Sequence, residues 1–378
     1  MKILSIVPSY YPAKIYGGTI FSIHESNYEI CKKNSKIQIN VLTTTANGKK
    51  RLENKKNKLI NYLKNYKVFY CFDEIINRFS ISFFLKILSK IKKSDLIHLQ
   101  DIFSYFAILT IILSSIYKKK IIISPRGSLS IWSLKSKFYI VKKIIVYFIL
   151  SIKPNIFWHV TSNLEKNDLI KLIIKNNITI IENFAFKPFY LNLKKKWWMN
   201  KIDKKKIALG FLGRLDNKKG LDLLIESFLK ANTKNISLSI AGGDKKKVAE
   251  ICEKLKIKIN KKIYFLGHVD KKKFNYLSSL DYFIMLSKNE NFGNVYLEAL
   301  CAGTPIITSK FTPFNDIEKF SSGHVLSMNE KKIIIFLEKL DKIHKKKIKV
   351  SKKYISNFNR KKIVSKFEDF YQKVYSII

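Results

Sequence analysis

Acidic residues are scarce in this chain. Only 28 Asp and Glu stand against 72 Lys and Arg in 378 residues, a formal charge of +44. The imbalance directs the protein toward anionic partners, whether nucleic acid, anionic lipid or a phosphorylated substrate, without choosing among them. The lysines are scattered along the whole chain, a composition to which codon bias contributes and which makes a solvated cationic surface. Cysteine is equally sparse: Cys31, Cys71, Cys252 and Cys301 are widely spaced and form no pair motif. That spacing excludes a disulfide framework and points to buried thiols in a reduced, cytoplasmic protein. Long apolar runs are missing. The most apolar stretch, residues 102–117, falls short of the roughly 20 residues a spanning helix needs, and residues 138–152 are interrupted by Lys142–Lys143. The first is read as a buried helix, with membrane contact as the alternative. The first residues enter a strand directly, without a signal-peptide pattern. There is no zinc-ligand spacing and no RNA-binding aromatic signature, so no specific nucleic-acid module is expected.

What is present suffices for two ordinary folded domains: the chain is 47% hydrophobic and 26% charged. Residues 3–7 form a short apolar run suited to a buried parallel strand. A loop with two prolines and Gly17–Gly18 follows, and Thr19 stands where it can cap the next helix. This is strand, glycine loop, helix, but the dinucleotide fingerprint G-x-G-x-x-G is absent. Residues 37–43, 95–100 and 120–124 read as further strands with apolar helical stretches between them, a β–α–β alternation. Lysine- and asparagine-rich residues 49–67 read as a surface loop or insertion. Ser124–Pro125–Arg126–Gly127 ends a strand, where open α/β sheets place ligands. Arg126 cannot act as a base, but its fork suits phosphate or an acidic acceptor. His98, at another strand end, reads as structural.

The second half opens with a strand at 207–212. Gly213 and Arg214 lead through Lys218, Lys219 and Gly220 into a helix with apolar residues at i, i+3 and i+4. Two cations on a glycine-bounded loop before a helix suit a diphosphate, Arg214 by bidentate contact and Lys219 as a point charge; Lys218 is the adjacent alternative. The most informative stretch is residues 287–309, SKNENFGNVYLEALCAGTPIITS. A helix starting near Asn294 presents unpaired N–H groups and a positive dipole end that favour an anion. Gly293 permits close approach of a ligand to the backbone. Glu290 lies before the helix mouth and Glu298 about one turn inside it. A ligand with hydroxyls at both ends and phosphate between them, such as a nucleotide sugar, suits that spacing.

Glu290 and Glu298 enclosing Phe292–Gly293, followed by Glu-Ala-Leu-x-x-Gly-Thr-Pro, resembles the retaining nucleotide-sugar glycosyltransferases of family 4. The resemblance covers essentially the whole chain, specifically in the second half and loosely in the first. It implies the GT-B fold: two Rossmann-like α/β domains facing each other across a cleft. Residues 1–186 would form the acceptor domain, 187–206 a linker with Trp197 and Trp198, 207–358 the nucleotide-sugar domain, and 359–378 a helix returning to the first domain. It implies that Arg214 and Lys219 bind the donor phosphates and that Gly17–Gly18 close over donor phosphate and acceptor. Val269 would touch the base and Glu298 the ribose. Glu290 and the amides of Asn291, Phe292, Gly293, Asn294 and Val295 would hold the sugar. Members of the family often carry a histidine where Arg126 stands here.

The implied reaction moves a sugar from a UDP- or GDP-linked donor to a carbohydrate or lipid-linked saccharide in surface polysaccharide synthesis (lipopolysaccharide, O-antigen or capsule). No Asp-x-Asp motif sits at a strand end and cations supply the charge, so no metal and no cofactor are required. The basic surface suggests peripheral docking on an anionic membrane. The competing readings are an inactive GT-B scaffold, a basic nucleic-acid-binding protein, and an epimerase or phosphorylase of the same fold.

Overall fold

The computed structural model describes residues 1–75, 79–135, 138–152, 155–172, 174–185, 206–254, 262–269, 272–342 and 348–377. The expected linker, 187–206, lies outside them except for Lys206. The chain divides into two compact units, Met1–Phe184 with Arg360–Ile378, and Ala185–Asn359.

The first unit runs β1 (Lys2–Ser9), α1 (Gly18–Lys33), β2 (Gln38–Thr44), β3 (Ala46–Asn47), β4 (Lys50–Arg51), β5 (Lys58–Leu63) and β6 (Tyr66–Cys71). It continues α2 (Ile81–Lys92), β7 (Leu96–Leu99), α3 (Tyr105–Ile116), β8 (Lys120–Ile123), α4 (Ile131–Leu134), α5 (Tyr139–Ser151), β9 (Ile156–Val160), α6 (Asn163–Lys171) and β10 (Ile178–Ile180). The sheet order is β10-β9-β8-β7-β1-β2-β6-β5, parallel throughout except for β5. The largely apolar, buried runs of β1, β7 and β8 are those of strands covered on both faces. The chain reverses its direction of sheet growth between β1 and β7.

Two local expectations are corrected. Residues 49–67 are not a loop: they carry β4, β5 and the start of β6, and β5 closes the sheet edge antiparallel to β6. On β6 the alternate residues Tyr66, Val68 and Tyr70 are fully buried. On β5 Lys58, Leu59 and Asn61 are exposed while Tyr62 stacks on Tyr66, and the exposed lysine suits an edge that must not pair further. Thr19 does not cap α1. The cap position is Gly17, with φ 76°, and Thr19 lies in the first turn. The chain enters the helix through a left-handed step that a β-branched residue resists. As read from the sequence, residues 102–117 contain a helix, α3, that buries Phe106, Ala107 and Ile111.

The second unit runs β11 (Ile207–Leu212), α7 (Leu221–Lys230), β12 (Ile236–Ala241), α8 (Lys245–Lys254), β13 (Ile263–Gly267), α9 (Lys273–Ser278) and β14 (Tyr282–Ile284). It ends with α10 (Asn294–Cys301), β15 (Ile306–Ser309), β16 (Gly323–Leu326), α11 (Glu330–Lys342) and α12 (Lys352–Ser356). All six strands are parallel in the order β13-β12-β11-β14-β15-β16. That is the 3-2-1-4-5-6 order of a Rossmann sheet, whose ligand crevice opens where the order reverses, at the carboxyl ends of β11 and β14.

The last helix, α13 (Arg360–Ser376), belongs to the first unit. It buries Ile363, Phe367, Phe370 and Tyr371 there, and pairs Glu368 with Lys33 and Arg360 with Glu29. No helix among the described residues is long and apolar enough to cross a membrane. All four cysteines are buried and free.

Gly323 is fixed by packing: a Cβ there would lie 1.9 Å from the Ile306 carbonyl oxygen, across the β15–β16 pairing. Gly323→Ala must push the edge strand β16 away. The predicted cost is about 2 kcal/mol, within the usual range for overpacking, read as a lower urea midpoint at unchanged slope. An unaltered midpoint would show that β16 yields freely.

Candidate active site

Two loops of the second unit meet at the reversal point. The first leaves β11 at Gly213 and makes a short 3-10 turn over Asn217–Lys219. It enters α7 through Gly220, whose φ is 66°. A Cβ on Gly220 would come within 1.9 Å of the Leu286 carbonyl oxygen, so glycine is what lets this loop lie on the chain leaving β14. The Lys288 N–H donates to the Lys218 carbonyl at 2.8 Å and ties the loops together. The second loop ends at Gly293, φ 81°, and α10 begins at Asn294. The amides of its first turn and its dipole therefore open on the same edge of the sheet.

Lys219 and Glu290 come into direct contact. The Lys219 ammonium donates to Glu290 Oε1 at 2.5 Å. The buried Ser287 hydroxyl donates to the same oxygen at 2.9 Å. The Glu290 N–H is held by the Phe311 carbonyl at 3.2 Å, and Tyr296 seats the loop by donating to the Met285 carbonyl at 2.6 Å. Glu298 is also buried and accepts from the Lys273 ammonium at 2.6 Å. Each acid thus carries its own lysine, and the two lysines come from different elements. Lys218 is half-buried; burial lowers its pKa, opposed first by the Glu290 charge. Arg214 stands apart from these pairs. It is 65% exposed, and its guanidinium faces Asp216 at 3.6 Å. Val269 packs into the core of this unit, while His268 beside it is exposed. Asn291, Phe292 and Val295 follow Glu290 on the loop and first helical turn, with Phe292 buried against Phe314.

The first unit brings together a different set at the ends of β7, β8 and β9. Arg126 and Gly127 both have positive φ, 53° and 82°. Arg126 Nε donates to Gln100 Oε1 at 2.9 Å. This orients the Gln100 amide so that its NH2 donates to His98 Nε2 at 3.0 Å. His98 Nε2 also lies 2.8 Å from the Ser124 hydroxyl, and His98 Nδ1 hydrogen-bonds the Tyr371 hydroxyl at 2.8 Å. His159 Nε2–H donates to the Ile181 carbonyl at 3.0 Å, and its Nδ1 shares a hydrogen bond of 2.8 Å with the same Ser124 hydroxyl. Burial favours the neutral form of both rings. Burial drives His98 well below its ordinary pKa, with the His159 and Arg126 charges adding to it. Burial, with Arg126, takes His159 down to about 3. Glu165, also buried, accepts from Gly127 N–H at 2.7 Å and Thr161 N–H at 2.8 Å and so anchors the Arg126 loop. His98 is structural, as its sequence context indicates. Gly17 and Gly18 form the turn into α1, and a Cβ on Gly17 would meet nothing within 4 Å.

Sequence reasoning missed Gln100, His159 and Glu165 as supports of Arg126, and Lys273 as the partner of Glu298. Strand register sets the first group: Leu99 pairs with Ile123 and Ile123 with Trp158, so the next residues out stand side by side. Lys273 is one of three consecutive lysines, and no pattern distinguishes it from its neighbours. Among the described residues no group of three or more His, Cys, Asp or Glu could hold a metal ion. Lys218, Lys219 and Arg214 gathered at the reversal point suit a phosphate.

The sequence profile named Glycosyl transferases group 1 matches residues 194–361. An uncharacterized 41.2 kDa protein in the cps region of Klebsiella pneumoniae is 25% identical over 77% of this chain and 83% of its own length. The O-antigen biosynthesis glycosyltransferase WclY of Escherichia coli is 28% identical over 45% of this chain, and the match spans only 46% of that protein. Among solved structures, HepE of Anabaena in complex with UDP and glucose superposes with a TM-score of 0.70 at 17% identity, over 99% of this chain and all of the other. Likeness at that level shows the fold, the two-domain α/β architecture termed GT-B. Together the comparisons make the chain a homologue of glycosyltransferases.

The neutral histidines make a prediction that needs no ligand. Their pKa values are lower in the folded chain than in the unfolded one. The stability they confer is complete above about pH 6.5 and is lost as pH falls from there toward about 3 for His159. His159→Gln is expected to flatten the dependence of unfolding free energy on pH in that window by about 1.4 kcal/mol per pH unit. An identical slope in the variant would show that His159 titrates normally.

Proposed function

We propose that this homologue of the glycosyltransferases moves a sugar from a nucleoside-diphosphate donor, UDP- or GDP-linked, to a saccharide or lipid-linked saccharide acceptor. Transfer proceeds with retention of anomeric configuration, as in the family 4 enzymes it resembles. The setting is synthesis of a bacterial surface polysaccharide such as capsule, O-antigen or lipopolysaccharide. The protein works in the cytoplasm, with its cationic surface against the anionic inner face of the membrane.

The Lys219–Glu290 pair at the reversal point, beside the start of α10, is the observation that supports this reading most. A diphosphate entering there meets a positive helix end and a lysine already oriented by a carboxylate. Arg214, exposed and only loosely paired, is available to swing onto the phosphates. As the glycosidic bond breaks, negative charge grows on the departing diphosphate. Lys219 and the amides from Asn291 to Val295, already in place, stabilise it, joined by Arg214 once it has swung in. Glu290 orients the sugar by accepting from its hydroxyls, and Glu298 does the same for the ribose. Gly17–Gly18 and Arg126 contact the acceptor side, Arg126 by its fork. No metal is needed for this scheme, and the donor is a substrate rather than a cofactor.

Arg214→Ala is the most diagnostic variant. Its position is exposed, so unfolding stability should move by no more than about 0.5 kcal/mol, while turnover should fall at least ~100-fold. Lys219→Ala and Glu290→Ala should lose turnover to a similar degree. Each also leaves a charge stranded in a largely buried site, with a stability cost of about 3 kcal/mol. The assay is release of UDP or GDP from a panel of donor sugars by the purified protein. Wild-type rates in Arg214→Ala and Glu290→Ala would discard the site.

A further inference from the structure

Helix α5 is amphipathic in an unusual sense: its outward face is apolar. Val146 and Ile149 are buried, whereas Ile140 and Ile144 are 71% and 61% exposed and Tyr147 and Phe148 also face outward. Phe138, just before the helix, is held at φ 66° with its ring 75% exposed. An isolated exposed apolar side chain is ordinary, but a contiguous stripe of them marks a contact surface. The surrounding charge is mainly positive, with Asp168 beside Lys171 the acid nearest the depression. Between Asp101 and Glu165 the sequence has no acidic residue and nine basic ones. Lys143 lies 5.5 Å over the Tyr139 ring on the exposed side. Lys143 and Lys171 also line a small depression with Tyr147, floored by Leu134 and Val146.

We propose that the α5 face is a docking surface for an anionic lipid bilayer. Ile140, Ile144 and Tyr147 enter the acyl boundary, and Lys143 and Lys171 take a headgroup phosphate in the depression beside Tyr147. A helix with an apolar outward face, flanking lysines and no acid is the form that lies in a membrane interface, and its cations are matched to anionic headgroups. A protein partner complementary to this face would have to bring both an apolar groove and an acidic rim. The bilayer supplies both at once. The inference rests on the membrane-surface part of the proposed function and assigns it to particular residues.

The experiment is co-sedimentation of the full chain with vesicles of phosphatidylcholine, with and without phosphatidylglycerol, at low salt. The wild type is compared with Ile140→Ser/Ile144→Ser/Tyr147→Ser, and with Leu85→Ser, which changes an exposed leucine on α2. The wild type and Leu85→Ser should pellet with the anionic vesicles only. The triple variant should partition at least about tenfold less, and Ile140→Ser alone, which retains the fold if the triple variant does not, should fall measurably. Equal pelleting of wild type, triple and single variants overturns the α5 assignment but leaves membrane docking intact. A wild type that stays in the supernatant overturns membrane docking itself. If sedimentation velocity shows the triple change converting a dimer to a monomer with vesicle binding unaltered, the face belongs to a second copy of the chain and the proposal fails. Release of UDP or GDP from soluble donors, measured in parallel, separates any of these results from failure of the transfer reaction.

Discussion

A lysine ammonium held against a buried carboxylate at the reversal point of a parallel sheet is the constraint around which the second unit is arranged. Removing two charges from water is costly unless geometry and further hydrogen bonds compensate. Here Ser287 supplies the extra hydrogen bond to Glu290, and the neighbouring loop reaches the pair only because Gly220 has no side chain to strike Leu286. Gly293 turns the chain into α10 so that its first amides face the same edge. The glycines, the serine and the helix start serve one end: a cationic, preoriented mouth that suits a phosphate.

The first unit uses the same sheet logic for a different purpose. Its strand-end arginine is steadied through Gln100, which is fixed in turn by a neutral histidine and the tyrosine of the last helix. A chain of neutral hydrogen bonds orients Arg126 without neutralising it. Its charge stays available to an anion, and burial lowers its pKa only to about 10, far above physiological pH. The last helix therefore supports the loop of Arg126 through Tyr371 as well as packing on the first unit.

Much of this was legible in the sequence because it depends on local chemistry. Apolar runs marked the parallel strands, and Gly293 before an amphipathic stretch marked the start of α10 at Asn294. Two cations before Gly220 marked the first loop. What was not legible depends on pairing between distant segments. The strand β5 reads as a loop because lysine and asparagine obscure its alternation, and only the partner strand β6 shows that it closes an edge. Thr19 looks like a cap until the positive φ of Gly17 is known. The supports of Arg126 come from the ends of β7 and β9 and from α6, whose relative placement no single segment encodes. Val269 was chosen by resemblance and turned out to spend its side chain on the core.

The central claim is that the Lys219–Glu290 mouth receives the donor diphosphate. A crystal structure of the protein with UDP or GDP tests it most directly. The account predicts the diphosphate at the start of α10, with an oxygen about 2.8 Å from Lys219 Nζ and the Arg214 guanidinium drawn onto it. A diphosphate bound elsewhere, with Lys219 still engaged by Glu290 alone and Arg214 still facing Asp216, would contradict it.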